Sequence, residues 1–134
     1  MMDRPPQIPA TYDAMYRAGG HDGVYELPYR HSRYYPLFRQ VFAELQRRKA
    51  RSVLEVGCGV GTFASMLFDK SGIEYWGFDF SPVAVAKAIE RTRRNDAFTV
   101  GDATDPGSYS REYSTIVCTE VLEHIVADRR AVAT

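Results

Sequence analysis

Apolar residues recur along the chain in two rhythms. Leu37, Val41, Phe42 and Leu45 fall at the three- and four-residue spacing of a single helix face, and Pro36 suits the first turn of that helix. From residue 52 onward the rhythm shortens. Residues 52–56, 73–78, 98–100 and 115–119 are brief apolar runs of strand length. Residues 63–68 between them are helical in spacing, with Gly72 as a C-terminal stop. A second helix runs from Pro82 to about residue 93, opened by Ser81 as N-cap and proline at the first helical position. Residues 105–113 read as a loop, and a last helix begins near Val121. Upstream, residues 1–11 are proline-rich and polar and read as a loose tail. Residues 12–36 are rich in tyrosine and glycine and read as irregular or partly helical.

Strand and helix in alternation predict an α/β protein with a wound parallel sheet. Such sheets bind ligands beyond the carboxyl ends of their strands. The polar residues that follow the candidate strands are Asp79, Asp102 and Glu120, and a glycine-rich loop follows the first strand. All of them converge on one rim.

That loop reads VLEVGCGVGTF over residues 53–63, with Gly57, Gly59 and Gly61 on alternate positions. Glycines between a strand and a helix permit a tight turn and a close approach by another group. A dinucleotide fingerprint, G-x-G-x-x-G/A, is broken by Thr62 at the position that permits close helix packing. A phosphate loop is excluded because no Gly-Lys-Ser/Thr follows. The spacing that fits is E-x-G-x-G-x-G, from Glu55 to Gly61.

Composition narrows the class further. With 134 residues, 45% of them hydrophobic and 25% charged, the chain suits one domain with a real core. The formal net charge is zero, so nothing draws it as a whole to nucleic acid or membrane. Two basic clusters, Arg47, Arg48, Lys49 and Arg51, then Arg91, Arg93 and Arg94, stand at helix ends and read as solvated last turns. Cys58 and Cys118 do not suggest a disulfide scaffold. No stretch has the length of a membrane span. The N-terminus lacks a signal-peptide core, and a cytoplasmic protein with reduced thiols is expected.

The glycine loop resembles the first motif of class I S-adenosylmethionine (SAM)-dependent methyltransferases. The resemblance continues in order through GFDFSPVAV (residues 77–85), VGDA (100–103) and STIVCTEVLEHI (114–125), covering roughly residues 50–126. It implies a Rossmann-like, three-layer wound parallel sheet with SAM as cofactor. In the family the fourth strand lies beside the first, and further strands follow. The chain is therefore expected to be a fragment truncated after its fourth strand. Residues 1–36 would form a tail and cofactor lid, and residues 37–134 an incomplete SAM-binding domain. A bare outer edge on strand 115–119 would favour self-association.

The resemblance also assigns roles. Asp79 receives the ribose hydroxyls; the alternative is an acid at a helix N-terminus ahead of Ser81. Phe80 offers a face to adenine or packs in the core. Asp102 takes the adenine amino group or is a simple turn residue, and the Ala103 backbone N–H meets a ring nitrogen. Glu55 orders the loop and the methionyl amine, toward which the Thr119 carbonyl also points. Gly57, Cys58, Gly59 and Gly61 form the loop, where the Cys58 backbone matters and its thiol does not. Tyr16 and Arg17 suit the methionyl carboxylate, since Arg holds a carboxylate with two hydrogen bonds; the alternative is that the aromatic residues there pack on the first helix.

His124 and Glu120, one turn apart on a helix face, are candidates for taking the acceptor's proton; the alternative for His124 is a capping or core histidine. Glu120, Glu123 and His124 form E-x-x-E-H, similar to a Mg²⁺ or Mn²⁺ site in two methyltransferase groups, although a related turn occurs in members without metal. The expected reaction is methyl transfer to an oxygen or nitrogen of a small-molecule or nucleic-acid acceptor of unknown class. Two rivals stand beside it. One is a non-catalytic nucleotide-binding or interaction domain with a methyltransferase-like pocket; the other is an NAD-type oxidoreductase, disfavoured by Thr62.

Overall fold

The structure, a computed structural model, describes residues 9–19 and 26–119. Helix α1 (Pro9–Arg17) and helix α2 (Tyr35–Arg47) precede the alternating part of the chain. Strand β1 (Ser52–Val56), helix α3 (Thr62–Lys70), strand β2 (Glu74–Asp79), helix α4 (Pro82–Thr92), strand β3 (Phe98–Val100) and strand β4 (Thr115–Cys118) follow. The sheet order is β3-β2-β1-β4, and every pairing is parallel. This is the expected Rossmann-like α/β fold, with β4 beside β1. The chain winds outward from β1 to β3 and then returns to the other side of β1, which puts the topological switch point between β1 and β4.

Register sets the rim. Val56 stands opposite both Phe78 and Cys118, and Phe78 opposite Thr99, so all four strands finish at nearly the same level. β1 lies at the centre and is covered on both faces. Its residues Val53 to Val56 are all buried, which explains why it reads as a continuous apolar run broken only by Glu55. Val53, Tyr75, Phe98 and Val117 face a core completed by Phe38, Leu45 and the apolar residues of α3 and α4. Leu54, Val56 and Phe78 turn the other way, where Ala103, Tyr109 and Tyr113 of the β3–β4 connection cover them.

Several boundaries differ from the sequence reading. Helix α1 takes in Pro9, Ala10 and Thr11, which composition had assigned to the tail. Tyr29–His31 form a 3-10 turn, with Tyr29 buried in the core and its hydroxyl donating to Asp69. Helix α3 runs on to Lys70 and is stopped by Ser71 rather than by a glycine. Ser71 is extended, and both its N–H and its hydroxyl donate to the Leu67 carbonyl, at 2.9 and 2.8 Å. The terminal carbonyl is thereby satisfied without the left-handed turn that Gly72 was expected to supply. Helix α4 ends in such a turn, but on Arg93 (φ 57). Ser81 caps α4 as expected, its hydroxyl accepting from the Ala84 N–H at 3.1 Å. The helix expected from Val121 lies outside the described residues.

The basic clusters are surface features with local partners. Arg47 and Arg48 both pair with Glu44, at 2.5 and 2.7 Å. Arg94 lies over the Phe68 ring at 4.5 Å, and Arg91 donates to the Leu27 carbonyl.

Candidate functional site at the switch point

The three glycines after β1 all adopt left-handed backbones, with φ of 77° at Gly57, 55° at Gly59 and 80° at Gly61. They have different neighbours. The Gly57 and Cys58 N–H groups both donate to the Phe78 carbonyl, at 2.9 and 3.0 Å, which pins the loop to the end of β2. Gly59 faces α1: a Cβ there would stand 3.7 Å from the Tyr16 hydroxyl. Gly61 faces α4. A Cβ there would come within 3.0 Å of Ala88 Cβ and 3.1 Å of Ala88 Cα. The close helix approach that a dinucleotide fingerprint secures one residue later is thus made by Gly61, and Thr62 is no obstacle to it.

Asp79 ends β2 and is only 5% exposed. Its Oδ2 accepts the Gly59 N–H at 2.9 Å, and its Oδ1 accepts the Ser81 N–H at 3.0 Å. One side chain therefore ties the glycine loop to the start of α4. Burial raises its pKa above the ordinary aspartate value, and backbone N–H donors from Ser81, Gly59 and Phe80 oppose that rise. Around a carboxylate there are about four acceptor positions, so capacity remains for hydroxyl donors from a ligand.

Glu55 lies beneath the loop, 4% exposed, with Oε1 accepting the Tyr75 hydroxyl at 2.5 Å. Burial pushes its pKa up to about 8; the negative charge of Asp79 adds to the rise and the Tyr75 bond opposes it. Cys58 is buried, and burial, followed by the charges of Glu55 and Asp79, drives its thiol well above its ordinary pKa. A thiol held in that form is a poor nucleophile.

α1 packs across this corner. Tyr12 meets Phe80 edge to face, with ring centroids 4.8 Å apart, and the Ser81 hydroxyl donates to Asp13. Arg17 stands exposed in the last turn of α1.

The β3 end of the rim is built otherwise. Asp102 is exposed, and its Oδ1 accepts both the N–H and the hydroxyl of Thr104 at 2.8 Å. Ala103 is buried, its carbonyl accepting the Tyr109 hydroxyl at 2.8 Å. Thr119 follows β4 and is half-buried. Glu120, Glu123 and His124 lie outside the described residues, so the proton acceptor and the E-x-x-E-H metal reading lie outside as well. Among the described residues no three His, Cys, Asp or Glu side chains cluster as a metal site.

Sequence reasoning missed Tyr75 and Gly77. The signal was present: an aromatic residue two positions before a glycine in mid-strand puts both on one face, where the ring can cover the glycine.

A glycine loop at the switch point, followed by a buried acceptor carboxylate at the next strand end, defines an α/β protein with a nucleoside-type binding rim. Residues 29–133 match the methyltransferase domain family, and the chain belongs to that family. It is 29% identical over 93 residues to the chloroplastic tocopherol O-methyltransferase of Arabidopsis thaliana, covering 66% of this chain and 27% of that protein. The structure resembles magnesium protoporphyrin IX methyltransferase of Synechocystis PCC 6803, solved with bound SAM (TM-score 0.58, 25% identity, 73% of this chain and 50% of that one). It also resembles the [4+2]-cyclase SpnF in fold (TM-score 0.71, 24% identity, 96% of this chain and 54% of that one). The chain thus spans about half the length of these solved structures and less of the plant relative. No helix among the described residues is long and apolar enough to cross a membrane.

Proposed function

We propose that this chain forms the cofactor-binding part of a SAM-dependent methyltransferase acting on an oxygen or nitrogen nucleophile. The observation that carries the reading is the Asp79 carboxylate, buried at the β2 end and joined to Gly59 of the loop and to Ser81 of α4. It is held in place before any ligand arrives, with acceptor capacity left for paired hydroxyls. Bound SAM supplies an activated methyl group on a sulfonium. The protein's share of the work is to hold, align and exclude water, which converts a bimolecular encounter into a positioned one.

In this reading the loop backbone from Gly57 to Gly61 receives the amino-acid end, Glu55 and the Thr119 carbonyl hold its amino group, and Asp79 holds the ribose. Phe80, Asp102 and the Ala103 N–H receive the base. α1 serves as the lid, with Tyr16 and Arg17 toward the amino-acid end; the packing of Tyr12 on Phe80 and of Asp13 on Ser81 supports it. Glu120 and His124 accept the acceptor's proton. As an alternative to that role, Glu120, Glu123 and His124 would hold Mg²⁺ or Mn²⁺, which would lower the pKa of an acceptor hydroxyl in place of a side-chain base. The acceptor is a small molecule or a nucleic acid, and the likeness to an O-methyltransferase supports oxygen. A second copy of the chain pairs with the outer edge of β4, where Ile116 is 56% exposed.

The test is calorimetry with S-adenosylhomocysteine (SAH), the demethylated product, and with NAD as the competing ligand. Methyl release to a panel of acceptors follows, with and without EDTA. Saturable SAH binding with no response to NAD is expected. NAD binding in place of SAH would overturn the reading, and SAH binding without any turnover would reduce it to a binding domain.

A further inference from the structure

The face of β2 that turns toward Glu55 carries a tyrosine and then a glycine. Tyr75 and Gly77 are two residues apart, so both project from the same side of the sheet, and Gly77 stands in register with Glu55. The Tyr75 ring is held edge-on by Phe68 at 5.3 Å and tilted against Phe98 at 5.6 Å. Its hydroxyl lies over Gly77, where a Cβ would sit 2.4 Å from that oxygen. Only a residue without a side chain lets the phenol lie along β2 and reach a carboxyl on β1. The resulting bond, Tyr75 hydroxyl to Glu55 Oε1, joins two buried side chains.

We propose that Tyr75 is a positioning residue of the cofactor site: with Gly77 it fixes the Glu55 carboxyl beneath the glycine loop, and Glu55 gives up its proton when the cationic amino group of the cofactor binds. The inference rests on the reading of Glu55 as the partner of that amino group. Among the described residues, the ionisable groups facing Glu55 are Tyr75 and Asp79 from β2 and Cys58 from the loop. Val117 of β4, in register with Glu55, is apolar. Asp13 of α1 stands behind Ser81 and acts on Asp79. No cation is among these groups. Burial therefore keeps the carboxyl protonated through neutral pH in the free protein, with its pKa pushed up to about 8. An ammonium brought within hydrogen-bond reach reverses the balance and favours the anion. The O–H bond of Glu55 breaks, its proton passes to the buffer, and the ligand ammonium keeps its own protons. Tyr75 donates to the oxygen that becomes charged, so it lowers the cost of that ionisation.

Calorimetry of SAH binding to the full chain, in buffers of different ionisation enthalpy between pH 6 and 8, reads the proton directly. The wild type is expected to release a proton on binding, with affinity rising by up to about tenfold per pH unit. Glu55→Gln should abolish the release. Tyr75→Phe should keep it, shift the affinity profile to higher pH, and weaken binding roughly tenfold at pH 7. A pH-independent affinity in the wild type, or an unchanged profile in Tyr75→Phe, overturns the proposal while leaving the cofactor site standing. Failure of the wild type to bind SAH at any pH overturns instead the site reading beneath it.

Discussion

Asp79 at the end of β2 and Asp102 just after β3 share one rim, yet the chain treats them in opposite ways. Asp79 is buried and accepts backbone N–H groups from the loop after β1 and from the start of α4. Asp102 is exposed, and its bonded oxygen is occupied by Thr104, two residues away. A carboxylate at a strand end becomes part of the scaffold only where other segments bring donors to it. Asp79 therefore bears on the fold as well as on the proposed ribose site, whereas Asp102 bears on the proposed site alone.

The largest expected effect tests that contrast directly. Asp79→Ala strands two backbone donors and removes the proposed ribose acceptor, so it should cost roughly 2–4 kcal/mol of stability and weaken SAH binding by at least about thirtyfold. Asp102→Ala should stay within about 0.5 kcal/mol in stability and about tenfold in affinity. Denaturant unfolding and calorimetry on both variants give the comparison; equal losses would break it.

The next effect is a pH dependence confined to the Asp79 side. The folded pKa of Glu55 is raised from 4.5 to about 8, so its protonated form is the one the fold favours. That contribution is fully present below pH 4.5 and is lost as pH rises through about 8. Glu55→Gln should therefore match the wild type near pH 4.5 and exceed it at pH 8.5, by a few kcal/mol on the order of the shift. Parallel stability curves across that range would remove Glu55 as a buried acid.

Three smaller effects test the loop and the helix ends beside it. Gly61→Ala combines a left-handed backbone with a clash on Ala88 and should cost about 2–3 kcal/mol. Gly72→Ala meets nothing within 4 Å and should be neutral or stabilising by about 0.5 kcal/mol. Ser81→Ala removes the α4 cap and the bond to Asp13, for a loss of about 1 kcal/mol. Thermal unfolding ranks all three, and a harmless Gly61→Ala would refute the helix-packing role.

Much of the rim is legible in the sequence. Strand ends at Val56 and Val100 came from short apolar runs, and Ser81-Pro82 marked the α4 start by capping chemistry alone. The C-terminal stop at Gly72 was misplaced, because a serine hydroxyl can satisfy a helix carbonyl as well as a glycine turn can. The third glycine reads as a position of close approach, but the sequence does not name its neighbour. Nothing local to Gly61 says that Ala88 will press on it.

The sequence by itself determined the alternation of strands and helices, the parallel sheet, the tight glycine turn and the acids at the strand ends. These depend on period, capping and backbone preference, which act over a few residues. Only the tertiary structure decided that Tyr75 reaches Glu55 across 20 residues of chain and that Asp13 meets Ser81 across 68. Such meetings depend on strand register and on the path of each crossover. A one-residue slip would turn Tyr75 to the opposite face of the sheet, away from Glu55.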